Sequence, residues 1–286
     1  MIGGALGPAL AAGGYEVMRL VRGASFAQGQ IAWDPGQALA PEFVSGFDAL
    51  IHLSGESIVG RWTEAKKKRI LQSRVATTRA LADAAAKAPQ PPRSFLCASA
   101  VGYYGNRGDE LLGEDATAGD QFTSELCRQW EGASQSAGAA GIRIVHMRFG
   151  AVLGAGAGAL RQMLWPFRLG LGGKIGNGRQ WMAWIGLADV VRAIPWLLNH
   201  DSLSGPVNMV SPHPVPNAEF ARILASVLSR PAIFSVPAFA VRLALGEMGE
   251  EILLSSQRAE PAKLTASGYV FQQPDLRQAL EEILRR

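Results

Sequence analysis

Between residues 15 and 153, short apolar runs alternate with helical segments, and this alternation narrows the fold more than any other feature of the chain. The runs at 15–21, 47–53, 94–100 and 142–147 are separated by helical stretches at 62–86 and 120–140. Such βαβ units pair their strands in parallel and cross over right-handed, which places helices on both faces of one sheet. The helix at 62–86 turns Ile70, Leu71, Val75, Thr78, Ala82 and Ala85 to one side, and Pro89–Pro92 ends it before the next strand. A further helix is predicted at the very start, where Ile2, Leu6 and Leu10 recur every four residues and Gly13-Gly14 closes the run. No strand precedes it. The fold class expected is α/β, a doubly wound parallel sheet whose first strand is missing.

Beyond Gly154 the texture changes. A Gly/Ala hinge at 154–158, an apolar helix at 160–169 and a glycine-rich stretch with Lys174, Arg179 and Gln180 come next. Strand 181–185, helix 189–198 with Pro195 as a kink, and strand 206–210 then lead to a helix at 218–228 that Asn217 can cap. The division expected is a main domain over 1–210, with 155–180 serving the substrate side, and a smaller α+β lobe over 211–286.

Forty-eight per cent hydrophobic residues, 18% charged residues and 33 glycines fit a globular protein with a large core and many tight turns. The net charge of +4 is mild. Its one dense cluster, Lys66-Lys67-Lys68-Arg69, reads as a solvated helix face, so no nucleic-acid partner is expected. No stretch approaches the roughly 18–20 apolar residues of a membrane span, and no membrane partner is expected. Cys97 and Cys127 lie far apart with no metal-ligand spacing, so no metal is expected. With no signal peptide in view, a reducing cytoplasmic setting follows.

In open α/β sheets, ligands bind outside the carboxyl ends of the strands. Strand 94–100 delivers Ser99 there and runs on into Tyr103-Tyr104-Gly105, groups suited to hydrogen-bonding a carbonyl or alcohol that exchanges hydride with a cofactor. The alternative is a buried strand followed by an aromatic turn that only packs. Strand 47–53 ends in Ser54-Gly55-Glu56, small enough for backbone to approach a ligand closely. His52, inside that strand, reads as a core histidine with its polar atoms satisfied.

Several segments together resemble a known group. They are Trp33-Asp34-Pro35, His52-Leu53-Ser54-Gly55-Glu56, Arg61-Trp62-Thr63, Ser73-Arg74-Val75, Ala98 to Gly105, Gly172 to Gln180, Asn208 to Pro212, Leu245-Gly246-Glu247 and Ser256-Gln257-Arg258. In this order and spacing the chain resembles the extended and atypical short-chain dehydrogenase/reductases known as NAD(P)-dependent epimerase family proteins, in the branch with a C-terminal domain of unknown function. The resemblance implies a Rossmann-like domain that binds NADP, with NAD possible, a second lobe over a small-molecule substrate, and a homodimer through the helices at 62–86 and 120–140. Within those helices, Leu126 and Trp130 fit either that interface or the core.

Carried over by position, Gly3 matches the last glycine of the pyrophosphate loop, where backbone N–H groups face phosphate. Arg22 stands where NAD-preferring relatives place an acid, and a guanidinium there pairs with a 2′-phosphate. Leu53, Ser54 and Gly55 match the turn that passes beside the adenine-side ribose and pyrophosphate, and Glu56 and Arg74 are further cofactor-binding candidates. Phe149 to Val152 match a loop beside the nicotinamide. Ser99 matches the active-site hydroxyl, with Tyr103 the best proton donor. The function implied is an NADP(H)-dependent oxidoreductase or epimerase-like enzyme; the alternative is a non-catalytic NADP(H)-binding sensor or scaffold.

Two departures stand against the resemblance. Active members carry Tyr-x-x-x-Lys, in which the lysine lowers the tyrosine pKa and holds the ribose, whereas this helix reads Thr123 and Cys127 at that spacing. Gly186 stands where many relatives have histidine. The resemblance also places a strand and two more glycines ahead of Met1, with an upstream start codon. A chain without them is expected to bind nucleotide poorly and to be marginally stable.

Overall fold

The computed structural model describes residues 1–23, 28–156 and 158–285; Ala157, in the expected hinge, lies outside them. The chain opens with helix α1 (Ile2–Ala12), then strands β1 (Arg19–Val21), β2 (Gln30–Ala32) and β3 (Ala49–His52). Helix α2 (Glu64–Lys87) begins where the Thr63 hydroxyl accepts the Lys66 N–H at 3.2 Å, an N-cap that fixes its start. Strand β4 (Ser94–Ala100), a 3₁₀ turn over Val101–Tyr104 and the short β5 (Leu111–Leu112) follow. The single helix expected at 120–140 is two, α3 (Phe122–Gly132) and α4 (Gln135–Ala139), because Ala133 and Ser134 close the first helix.

Strands β6 (Arg143–Phe149) and β7 (Ala151–Leu153) flank Gly150; α5 (Ala159–Arg168), β8 (Gly173–Ile175), β9 (Trp181–Met182) and β10 (Trp184–Gly186) come next. Helix α6 (Leu187–Asn199) runs unbroken through Pro195 and leads to β11 (Gly205–Met209) and β12 (Val215–Pro216). The last elements are α7 (Asn217–Val227), β13 (Phe234–Val236), α8 (Ala238–Leu245), β14 (Arg258–Ala259), α9 (Ala262–Ala266) and α10 (Leu276–Leu284). Asn217 does not cap α7. Its Oδ1 accepts the Ile175 N–H at 2.7 Å, so the side chain ties the helix to β8 instead.

The central sheet is parallel, in the order β11-β6-β4-β3. β4, buried on both faces, is its middle, as a continuous apolar run requires. On one face, α1 and α6 bring Leu6, Leu10, Val190, Ile194 and Leu197 against Leu96, Val145, Met147, Val207 and Met209. On the other, Leu81, Ala82, Ala85 and Trp130 from α2 and α3 cover Phe95 and Cys97. Leu126 and Trp130 are therefore core residues. β1 pairs with β2, and no pairing joins β1 to β3 among the described residues.

The C-terminal elements pack on both halves of the chain. A third core packs α5, Trp184, α7 and α10 together. β8 pairs with β13, β9 with β12, and β5 with β14, so the C-terminal segment is stitched back onto residues 111–112 and 173–182.

Candidate functional site

β3 and β4 are neighbours in register, His52 opposite Cys97, so their carboxyl ends open side by side. From β3 the chain enters the turn Leu53–Glu56. The Glu56 N–H donates to Ser73 Oγ at 2.9 Å, which fastens the turn to α2. The Glu56 carboxylate takes a hydrogen bond from Lys66 Nζ at 2.8 Å, which holds its pKa below the usual range. His52 Nε2 pairs with Ser54 Oγ at 2.8 Å and Nδ1 with Thr78 Oγ1 at 2.9 Å. Burial, with the nearby charge of Arg74, pushes its pKa down to about 4, so it is neutral at physiological pH. It is the satisfied core histidine that the strand pattern indicates.

Arg74 reaches from α2 to the same turn. A Cβ on Gly55 would stand 3.0 Å from the Arg74 guanidinium carbon, so only glycine fits there without displacing it. The guanidinium donates to Ile70 O at 3.1 Å and lies 5.1 Å from the centre of the Trp130 ring. Burial lowers its pKa, and no carboxylate is within ion-pair distance among the described residues.

Ser99 is not a free hydroxyl facing the crevice. It is 2% exposed and donates to Glu131 Oε1 at 2.7 Å. The same carboxylate accepts Arg148 Nε and Nη2 at 2.8 and 2.9 Å, a bidentate pair. Burial alone would depress the Arg148 pKa; the Glu131 bonds outweigh it and leave it raised. Arg148 Nη1 goes on to Tyr104 OH and to Glu114 O. Tyr104 donates to Asn208 Oδ1 at 2.7 Å, and burial pushes its pKa up to about 12. Tyr104 is thereby locked inside. Tyr103 is half-buried, its ring 3.5 Å from the Arg148 guanidinium, and its hydroxyl makes no hydrogen bond among the described residues. Of the two phenols, this one can meet a ligand.

The Tyr-x-x-x-Lys positions hold two neutral side chains. Cys127 donates to Ala100 O, and burial pushes its thiol up to about 11. Thr123 packs against Gly102, and its buried Oγ1 has no partner. The N–H groups of Phe122 and Thr123 are taken by the Glu251 carboxylate at 3.0 and 2.8 Å, so a residue from the C-terminal part of the chain caps this helix.

The remaining expected residues are dispersed. Gly3 lies in the exposed first turn of α1, whose N-terminal N–H groups have no side-chain cap. Arg22 is exposed just past β1 and makes no ion pair among the described residues. Phe149 and Val152 belong not to a loop but to strands, Phe149 as the last residue of β6 and Val152 as the middle residue of β7; the Val152 side chain is buried in the core. Lys174 and Arg179 are exposed, whereas Gln180 is buried and donates to Ile175 O and Leu253 O. At Gly186 the space of a side chain is taken: a Cβ would stand 2.0 Å from Gln273 Oε1. Among the described residues no group of His, Cys, Asp and Glu could hold a metal ion, and no helix is long and apolar enough to cross a membrane.

Sequence reasoning missed Glu131, Glu114 and Arg148. Only pairing across α3, β6 and the 113–116 turn reveals them, and nothing in their local sequence sets them apart.

A parallel sheet with helices on both faces and a glycine turn at its carboxyl edge defines a Rossmann-like nucleotide-binding architecture. The chain belongs to the NAD dependent epimerase/dehydratase family, whose pattern matches residues 1–210; a domain of unknown function (DUF1731) matches 236–283. It is 41% identical to epimerase family protein ML0860 of Mycobacterium leprae, over 98% of this chain and 91% of that one. The crystal structure of human epimerase family protein SDR39U1 (isoform 2) with NADPH superposes with a TM-score of 0.91 at 37% identity, covering 100% of this chain and 96% of that one. The nucleoside-diphosphate sugar epimerase of Corynebacterium glutamicum gives 0.83 at 34%, over 99% of this chain and 56% of that one.

Proposed function

We propose that this protein binds NADP(H) across the carboxyl ends of β3 and β4 and uses it as an oxidoreductase or epimerase-like enzyme on a small polar substrate. The observation that carries the reading is the crevice itself. At the turn Leu53–Glu56 the Arg74 guanidinium packs against Gly55 with no carboxylate paired to it among the described residues, the buried Thr123 hydroxyl is unpartnered, and Tyr103 presents a free phenol, all within a fold shared with an NADPH-bound relative at 37% identity. These features fit a dinucleotide: a cation without a counter-ion, an orphaned donor and a phenol free to hydrogen-bond.

The dinucleotide supplies a hydride donor or acceptor when bound. On this reading Gly3 and the α1 N-terminus meet the pyrophosphate, Arg22 meets the 2′-phosphate, and Leu53, Ser54, Gly55, Glu56 and Arg74 line the ribose side. Phe149, at the end of β6, and the backbone beside Val152 bound the nicotinamide side. Tyr103 is the proton donor to a substrate oxygen, oriented by Arg148 beneath its ring. Ser99 acts at one remove, by holding Glu131 against Arg148.

The non-catalytic alternative draws on the neutral Thr123 and Cys127. Incubating the protein with NADPH and a panel of carbonyl compounds separates the two. Oxidation of NADPH by any of them, lowered about 10²–10⁴-fold in Tyr103→Phe, supports the enzyme; binding without turnover across the panel supports the sensor. We place the protein in the cytoplasm on its two free, buried cysteines. A homodimer through α2 and α3 would join polar faces, since no large apolar side chain is exposed on either helix among the described residues. Sedimentation at two concentrations tests it.

A further inference from the structure

We propose that Arg74 supplies, from α2, the fixed positive charge that relatives supply from the lysine of Tyr-x-x-x-Lys, and that its guanidinium holds the ribose hydroxyls and phosphate on the nicotinamide half of the dinucleotide. The assignment rests on the nucleotide reading above and deepens it.

The vacancy is the first observation. Where the lysine would stand, Cys127 is a buried neutral thiol bonded to Ala100 O, so α3 offers the crevice no cation. Arg74 stands beside that position. It stacks on Trp130, three residues along α3, and lies close enough to Cys127 for the two to interact electrostatically.

The second observation is its lack of partners. A guanidinium has five N–H donors, and a buried one is ordinarily paired. Arg74 makes a single hydrogen bond, to a carbonyl of its own helix, and no ion pair among the described residues. The nearby carboxylate, Glu56, is committed elsewhere, to Lys66. A charge taken partly out of water and left without a counter-ion is costly unless a ligand completes it. The Nε and Nη2 groups, which make no hydrogen bond among the described residues, lie against Gly55, the residue of the turn with no side chain to displace them. A planar fork of unpaired donors beside a glycine turn suits a vicinal diol or a phosphate.

The substitution changes the chemistry as well as the address. A guanidinium does not release its proton in the range where a lysine can, so the crevice keeps its charge at all working pH values but loses a proton relay. That matches a site with no tyrosine on α3 for such a relay to serve.

The test compares two ligands on the intact protein, NADPH and adenosine 2′,5′-bisphosphate, which lacks the nicotinamide half. Arg74→Met should weaken NADPH by about tenfold or more, the scale of one charge-assisted hydrogen bond, and leave the bisphosphate within twofold. Arg74→Lys, which restores a cation and keeps the stem packed, should bind NADPH at least fivefold more tightly than Arg74→Met. Equal loss of both ligands, no loss of NADPH, or a lysine variant no better than methionine overturns the assignment. If Arg74→Met does not fold, the lysine variant alone decides: NADPH affinity within tenfold of the parent supports the assignment, and a greater loss overturns it. Should the parent bind neither ligand, the nucleotide reading itself fails and the assignment falls with it.

Discussion

The Arg148 guanidinium lies 3.5 Å from the centre of the Tyr103 ring, and its other edge is gripped twice by Glu131. A buried cation thus holds the one tyrosine of the crevice whose hydroxyl is free, and a carboxylate from α3 holds the cation. Removing one partner strands the other. Arg148→Met should destabilise the protein by about 3–5 kcal/mol, because Glu131 is left charged and largely buried. The double variant Arg148→Met/Glu131→Gln should recover part of that loss. Urea unfolding of the three proteins measures it, and a double variant less stable than Arg148→Met would contradict the account.

His52 predicts a pH dependence. Its pKa is lowered from 6.5 to about 4 in the folded protein, so between these values the unfolded chain binds the extra proton. Its contribution is fully present above pH 6.5, falls as the pH drops through the interval, and is gone below about 4. The two-and-a-half-unit shift corresponds to about 3 kcal/mol. Stability measured from pH 7 to 4 should decline less steeply in His52→Asn than in the parent; identical slopes would remove His52 from the explanation.

Glu251 predicts a link between distant parts of the chain. It receives the first two N–H groups of α3 from 128–129 residues away. Glu251→Ala should cost about 1–2 kcal/mol, the scale of a lost helix cap. Hydrogen exchange should report the loss first at Phe122 and Thr123. Unchanged protection there would show that the cap does not hold the helix.

Legibility in the sequence followed how local each signal is. The period-four apolar residues of α1, the one-sided apolar pattern of α2 and the unbroken apolar run of β4 act within a few residues, and the corresponding elements stand where the pattern places them. The strand-end turn Leu53–Glu56 was legible for the same reason. Ser99 reads as the active-site hydroxyl because a strand end usually faces ligand; only the fold shows Glu131, 32 residues away, accepting its hydrogen bond. Asn217 reads as a cap from its neighbours, but a bond to Ile175 claims it. Gln273 filling the space at Gly186 lies 87 residues distant and leaves no mark in the sequence.

The choice of nucleotide tests the central claim most directly. Arg22 sits exposed and unpaired past β1, at the strand end where a 2′-phosphate would be read. Titration calorimetry of the protein with NADPH and NADH should show tighter binding of NADPH. Arg22→Ala should erase most of the difference, about 1.5–3 kcal/mol as for a hydrogen bond to a charged group. Equal affinities in the parent, or binding of neither nucleotide, would contradict it.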